Sequence, residues 1–207
     1  MKLILKVLFV CFMMVLICCA PVIAVEPLDL HWDLSDWREV TENEVVVTTS
    51  ENGLTIKVRK ANWCDRRYDE LPSKARYLSK FKATAEVESL EGGSCGLFLS
   101  NGKVSIVLNV SKTESELRCA ASGQVSLVKS AKIKPVNFPA TISLAYDTTT
   151  GIIEGFLNGE KIIEGNADTL TNMPKISSIR YVGVISCSNW NQTFSTSTYS
   201  TLNLEAR

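Results

Sequence analysis

Twelve short runs of β-branched, aromatic and aliphatic residues recur along this chain: 44–49, 54–59, 80–89, 94–100, 103–110, 114–120, 125–133, 140–146, 152–157, 160–165, 179–187 and 198–205. Turn residues close each run, and no long stretch carries the 3.6-residue period of a helix. Strands this short and this numerous bury their apolar sides only by stacking sheets, so the expected fold is all-β, an antiparallel sandwich or barrel. No internal repeat or linker divides the chain, and residues 25–207 are read as one domain.

The first 24 residues stand apart. Lys2 and Lys6 precede an apolar stretch from Val7 to Cys19, and Val22-Ile23-Ala24 offers a small-residue cleavage site. This pattern is that of a secretory signal peptide, residues 1–24, and predicts a secreted, extracellular product. No later apolar run has membrane-spanning length, so no membrane span is expected after cleavage. The 22 Lys and Arg balance the 22 Asp and Glu, and charges of both signs are interspersed. Without a basic excess, no nucleic-acid partner is expected.

Cys11, Cys18 and Cys19 leave with the signal peptide, whereas Cys64, Cys95, Cys119 and Cys187 stay. Four cysteines in an oxidising compartment predict two disulfides with three possible connectivities. The spacings contain no CxxC, and His31 is the only histidine. A zinc constellation and a thiol nucleophile with its histidine base are therefore not expected. Serine catalysis lacks a GxSxG elbow. His31, between Leu30 and Trp32 and near Asp29 and Asp33, reads as an ordinary hydrogen-bonded residue.

Two hairpins are predicted residue by residue. Asn101-Gly102 between two strand runs predicts a two-residue loop that sets Ser100 opposite Lys103, Leu99 opposite Val104, Leu97 opposite Ile106 and Cys95 opposite Leu108. One face is then uniformly apolar, and the other carries Ser94, Ser105 and Asn109. Asn109 belongs to the sequon Asn109-Val110-Ser111, and a second sequon is Asn191-Gln192-Thr193. If run 114–120 continues this meander, Cys95 and Cys119 lie on the order of 14 Å apart, beyond disulfide reach. In the second hairpin, the turn cluster Asp147 to Gly151 sets Tyr146 opposite Ile153, Leu144 opposite Gly155 and Ile142 opposite Leu157. Asn158-Gly159 then marks a type I′ turn.

The stretch SLAYDTTTGIIEGFLNGEKI, with its strand, Asp-containing turn, strand, Asn-Gly turn and strand, resembles concanavalin A-like lectin and glucanase domains, including laminin G-like and pentraxin-like members. The resemblance is clearest over residues 140–165 and looser over WDLSDWREV, GLTIKV, FKATAEVES, CGLFLSNGKVSIVLNV and TLNLEA. It implies two curved antiparallel sheets of jelly-roll type with a concave face that often holds carbohydrate. Fold analogy alone does not assign function.

Three groups of residues could carry chemistry. Trp63, Arg66, Arg67 and Tyr68 lie in the densest aromatic and charged segment, read as a loop; such side chains stack on sugar rings and hydrogen-bond hydroxyls or anions. Trp190-Asn191-Gln192 is a second, weaker aromatic and polar cluster. Glu86 and Glu88 project from one strand face, where a retaining glycosidase would need two carboxyls roughly 5 to 5.5 Å apart. The related glucanases carry Glu-x-Asp-x-Glu, and EVESLE lacks the middle acid. Asp147 and Asp168 are conceivable calcium ligands, although Asp147 reads better as a turn-former and no cofactor is expected. The favoured function is a secreted, non-catalytic, lectin-like domain binding glycan or another extracellular ligand. The alternatives are a glycoside hydrolase or polysaccharide-active enzyme using Glu86 and Glu88, and a structural or adhesion domain that binds an extracellular protein.

Overall fold

A computed structural model describes residues 26–61, 63–188 and 194–207. The expected signal peptide, Trp190 and the second sequon lie outside the described residues. The chain runs through β1 (Leu28–Asp33), β2 (Val40–Thr41), β3 (Val45–Ser50), β4 (Gly53–Val58) and β5 (Cys64–Glu70). It continues through β6 (Lys80–Glu91), β7 (Ser94–Ser100), β8 (Val104–Val110), β9 (Glu114–Ala121) and β10 (Gln124–Lys132). The remaining strands are β11 (Ala140–Asp147), β12 (Ile152–Leu157), β13 (Glu160–Asn166), β14 (Tyr181–Cys187) and β15 (Ser195–Ala206).

These strands form two antiparallel sheets. Nine build one, in the order β13-β12-β11-β6-β15-β4-β3-β2, with β1 beside the C-terminal half of β15. The other six follow the order β10-β9-β8-β7-β14-β5. Alternate residues of each sheet point into one shared core. From the larger sheet come Phe81, Ala83, Ala85, Val87, Ile142, Leu144, Leu202 and Leu204; from the smaller come Leu97, Leu99, Ile106, Leu108, Leu117, Val182 and Val184. Full burial of one such Leu or Ile side chain stabilises the fold by roughly 1.5–3 kcal/mol. Tyr199 on β15 spans the layers: its buried hydroxyl donates to the Ile185 carbonyl (2.6 Å) and accepts from the Gly96 N–H (3.0 Å).

The second hairpin has the predicted register, with Tyr146 opposite Ile153, Leu144 opposite Gly155 and Ile142 opposite Leu157. Asn158 and Gly159 both take positive φ, as the type I′ turn requires. The first hairpin differs. Ser100 lies opposite Ser105, Leu99 opposite Ile106, Leu97 opposite Leu108 and Cys95 opposite Val110. Asn101 folds its side-chain oxygen back onto the N–H groups of Lys103 (2.9 Å) and Val104 (2.8 Å), and of the two central residues only Gly102 has positive φ. A four-residue loop results. The shift of two residues preserves the pleat, so the apolar face still points inward.

Two further expectations are corrected. One disulfide forms, Cys64–Cys187, and Cys95 and Cys119 are free. The meander β7-β8-β9 does hold, and it places these two thiols on strands separated by β8, opposite Val110 and Ile106. Both are buried in the core, where desolvation pushes the Cys95 thiol up to about 12 and the Cys119 thiol to about 11. Segment 64–70, read as a loop, is the edge strand β5. Charged residues on both of its faces conceal the period-2 pattern that identified the other strands.

Candidate functional site

The six-stranded sheet has an unusual outer face. In β7, β8 and β14 nearly every residue is buried, outward-pointing positions included. Phe98, Val107, Ile185 and Cys187 form an apolar cluster there, separate from the core. The adjoining edge strand helps to cover it. Direct pairing sets Cys64, Arg66 and Tyr68 of β5 opposite Cys187, Ile185 and Gly183, and so on the same face.

Glycine at 183 permits the central contact. Phe98 and Tyr68 both lie opposite Gly183, from β7 and β5 respectively. A Cβ there would run into the Arg67 carbonyl and stand 2.8 Å from the Phe98 ring. Without it, the Tyr68 ring meets Phe98 edge-on (6.1 Å between centroids) and Tyr181 likewise (5.3 Å). Tyr68 nevertheless stays 59% exposed, an aromatic face standing at the rim.

Two depressions open on this face and share Arg66. The first, about 260 Å³, is lined by Arg66, Tyr68, Phe98, Ser100, Ser105 and Tyr181. The second, about 340 Å³, includes Arg66, Val107, Asn109, Glu116, Arg118 and Val125. The Arg66 guanidinium lies over the Phe98 ring at 5.6 Å and donates from Nη1 to the Ser105 hydroxyl at 3.3 Å. Burial pushes it below the usual arginine value. Across the face, Arg118 pairs with Glu116 at 2.8 Å. Asn109, the sequon residue, is almost fully buried in the second depression.

The alternation of β5 divides the predicted binding set. Arg66 and Tyr68 meet on the outer face; Arg67 points the other way and pairs with Asp65 at 2.8 Å. Asp65 is raised above the usual carboxylate value by desolvation, partly offset by the charge of Arg67. Next along that side, Asp69 accepts from the Trp32 indole at 2.7 Å. Trp63 immediately precedes β5, with its ring 42% exposed and the Lys60 ammonium 4.5 Å above it. Its backbone is tied to Ser188.

The remaining candidates lie elsewhere. Glu86 and Glu88 are exposed on β6, in the opposite sheet from Arg66, and Glu86 accepts from the Ser200 hydroxyl at 3.3 Å. Asp147 accepts from the N–H groups of Thr149 and Thr150 and from the Thr149 hydroxyl, which makes it a turn-former. Asp168 pairs with Lys175 at 2.9 Å. His31 is hydrogen-bonded to Asn203 on the neighbouring strand. Phe98, Tyr181, Ser100 and Arg118 are components of the outer face that sequence reading missed. The predicted polar alternation at Ser105 and Asn109 was the available signal for it.

No protein-family profile matches the chain, and no curated protein matches it by sequence. Solved structures do. A Bacillus subtilis protein of unknown function with a galectin-like fold is 14% identical over 84% of this chain and 91% of its own, with a TM-score of 0.56. Carbohydrate-binding module CBM66 from Bacillus subtilis is 11% identical over 75% of this chain and 88% of its own (TM-score 0.50). The Crh5 transglycosylase, solved in complex with NAG, is 11% identical over 86% of this chain and 83% of its own (TM-score 0.54). At these identities the shared property is the fold, a concanavalin A-like, galectin-like sandwich of two antiparallel sheets.

Proposed function

We propose that this protein is a secreted, non-catalytic, lectin-like domain that binds a glycan on the outer face of its six-stranded sheet. The observation that carries the reading is the pair of depressions around Arg66, where an exposed Tyr68 ring stands over a floor of apolar and hydroxyl side chains. Sugars present C–H faces to aromatic rings and hydroxyls to fixed donors and acceptors, and this surface offers both. Two of the similar structures, the carbohydrate-binding module and the transglycosylase solved with NAG, are carbohydrate-related proteins, which supports the same direction.

Secretion is supported by the sequence pattern of residues 1–24 and by the Cys64–Cys187 disulfide, which suits an oxidising compartment. No helix among the described residues is long and apolar enough to cross a membrane. The non-catalytic reading is supported by the positions of the acids. Glu86 and Glu88 stand on the other sheet, and Glu116, the acid within the second depression, is ion-paired with Arg118. A general acid works in a water-excluded setting, and Glu86 and Glu88 are exposed.

The test is a broad glycan array probed with the purified protein beside Tyr68→Ala and Trp63→Ala variants. Saturable binding that Tyr68→Ala weakens about tenfold, the factor equivalent to about 1.4 kcal/mol of lost aromatic contact, is the expected result. Binding that survives Tyr68→Ala unchanged, or no binding to any glycan, overturns the reading. A loss in Trp63→Ala as well would extend the site to the start of β5.

A further inference from the structure

Among the described residues, Arg66 is the cation of this face that no carboxylate pairs. Its polar contact there is a single hydrogen bond to Ser105, and it lines three depressions: the two on this face and a third, of about 550 Å³, that it shares with Asp36 and Asp69. Of the acids around it, Asp65 pairs with Arg67, Glu70 with Arg180 and Glu116 with Arg118, Asp69 accepts from the Trp32 indole, and Asp36, which shares the third depression, forms no ion pair with it. The other polar groups lining the first depression are the hydroxyls of Tyr68, Tyr181, Ser100 and Ser105. A half-buried cation is costly when nothing neutralises it, and a guanidinium kept for structure ordinarily faces a carboxylate. This one makes no ion pair among the described residues and lies over the Phe98 ring, part of an apolar floor that strengthens any ion pair formed there.

We infer that the glycan held here is an acidic saccharide whose anionic group, a carboxylate or a sulfate, docks on the guanidinium of Arg66 while a sugar ring packs against Tyr68. The inference rests on the glycan-binding reading and narrows it to a substrate class. The planar fork of an arginine binds a carboxylate through two parallel N–H···O bonds, and a tetrahedral sulfate accepts from the same donors. Arg118 stands in the second depression with its charge shared with Glu116, so a single anionic group at Arg66 fits the surface better than a run of charges.

The experiment compares wild type, Arg66→Gln, Arg66→Lys and Tyr68→Ala by titration against matched probes. These are an oligogalacturonide and its carboxyl-reduced neutral form, and a sulfated galactan oligosaccharide free of uronic acid and its desulfated neutral form, with the array of glycans sorted into acidic members and their neutral counterparts. The expected result is at least a tenfold preference of wild type for an acidic probe over its neutral counterpart. Arg66→Gln abolishes this preference, and Arg66→Lys, which keeps the charge but not the fork, retains part of it. The uronide arm identifies a carboxylate, the sulfated-galactan arm a sulfate. Equal affinity for acidic and neutral partners, or a preference that persists in Arg66→Gln, overturns the inference; if Tyr68→Ala still weakens binding, the glycan reading stands without it. No binding to any saccharide removes both. Near-ultraviolet circular dichroism of each variant, overlaid on wild type, shows that a lost preference is not lost folding.

Discussion

Asp147 shows how one carboxylate closes a turn and makes it sensitive to pH. Its side chain gathers the N–H groups of Thr149 and Thr150 and the Thr149 hydroxyl, and the chain then leaves the turn through Gly151 at φ +71°. The Thr149 hydrogen bond is the chief reason that Asp147 is held below the usual carboxylate value of 3.8. A carboxyl with a depressed folded-state pKa stabilises the fold above its unfolded value and loses that contribution as pH falls through the folded value. Asp147→Ala is therefore expected to cost at most about 1 kcal/mol at pH 7, since solvent screens the site. The cost shrinks below pH 4 and, once the wild-type carboxyl is protonated, falls to what the remaining neutral acceptor contributes. Chemical denaturation of both proteins between pH 2 and 7 measures it. Asp147→Asn, which keeps the acceptor, is expected to fall between them, and a pH-independent difference would exclude the carboxylate as the source.

Between strands, Tyr199 ties the two layers together. Its hydroxyl lies in the core, satisfied by groups of β7 and β14 that are themselves paired in register, Gly96 with Ile185. Tyr199→Phe removes the hydroxyl and leaves that N–H and carbonyl short of a partner. The expected loss is about 1–3 kcal/mol, seen as a lower urea midpoint at unchanged slope. A neutral result would mean that the two strands close over the gap. No pattern in the sequence announces this contact, because Tyr199 is merely one more apolar residue in a strand. Period-2 alternation did identify the inward face of most strands, and the Asp147–Gly151 turn set one register as expected. It failed at Asn101, where a side chain competing for backbone N–H groups enlarged the loop. It failed again over 64–70, where polar residues occupy both faces of an edge strand. Arg66 and Tyr68 were readable as chemistry, yet their partners Phe98, Tyr181 and Ser105 come from three other strands. Alternation tells which face a residue occupies and says nothing about which strands become neighbours, and sheet order assembled the rest of the site.

The proposed binding face depends on how firmly β5 is held at the sheet margin. β5 pairs with β14 alone, its side chains are half-buried or exposed, and it supplies both Arg66 and Tyr68. The Cys64–Cys187 bond fastens its first residue to β14 and links positions 123 residues apart in the chain. Closing so long a loop restricts the unfolded ensemble, and such a bond typically stabilises by about 2–4 kcal/mol. The same bond also limits fraying of the strand end nearest Arg66. Replacing both residues, Cys64→Ser with Cys187→Ser, is expected to lower stability by about that amount and, at temperatures well below the melt, to weaken glycan binding further by letting Arg66 and Tyr68 part from Phe98. Dithiothreitol should reproduce both effects in wild type and neither in the double variant. Hydrogen exchange separates the two roles: the amides of β5 should lose protection in the variant while those of β6, β11 and β15 keep theirs. Uniform loss of protection across both sheets, with affinity unchanged in the folded fraction, would make the disulfide a global staple only. Loss confined to β5 together with lost affinity ties the oxidising compartment directly to the competence of the site.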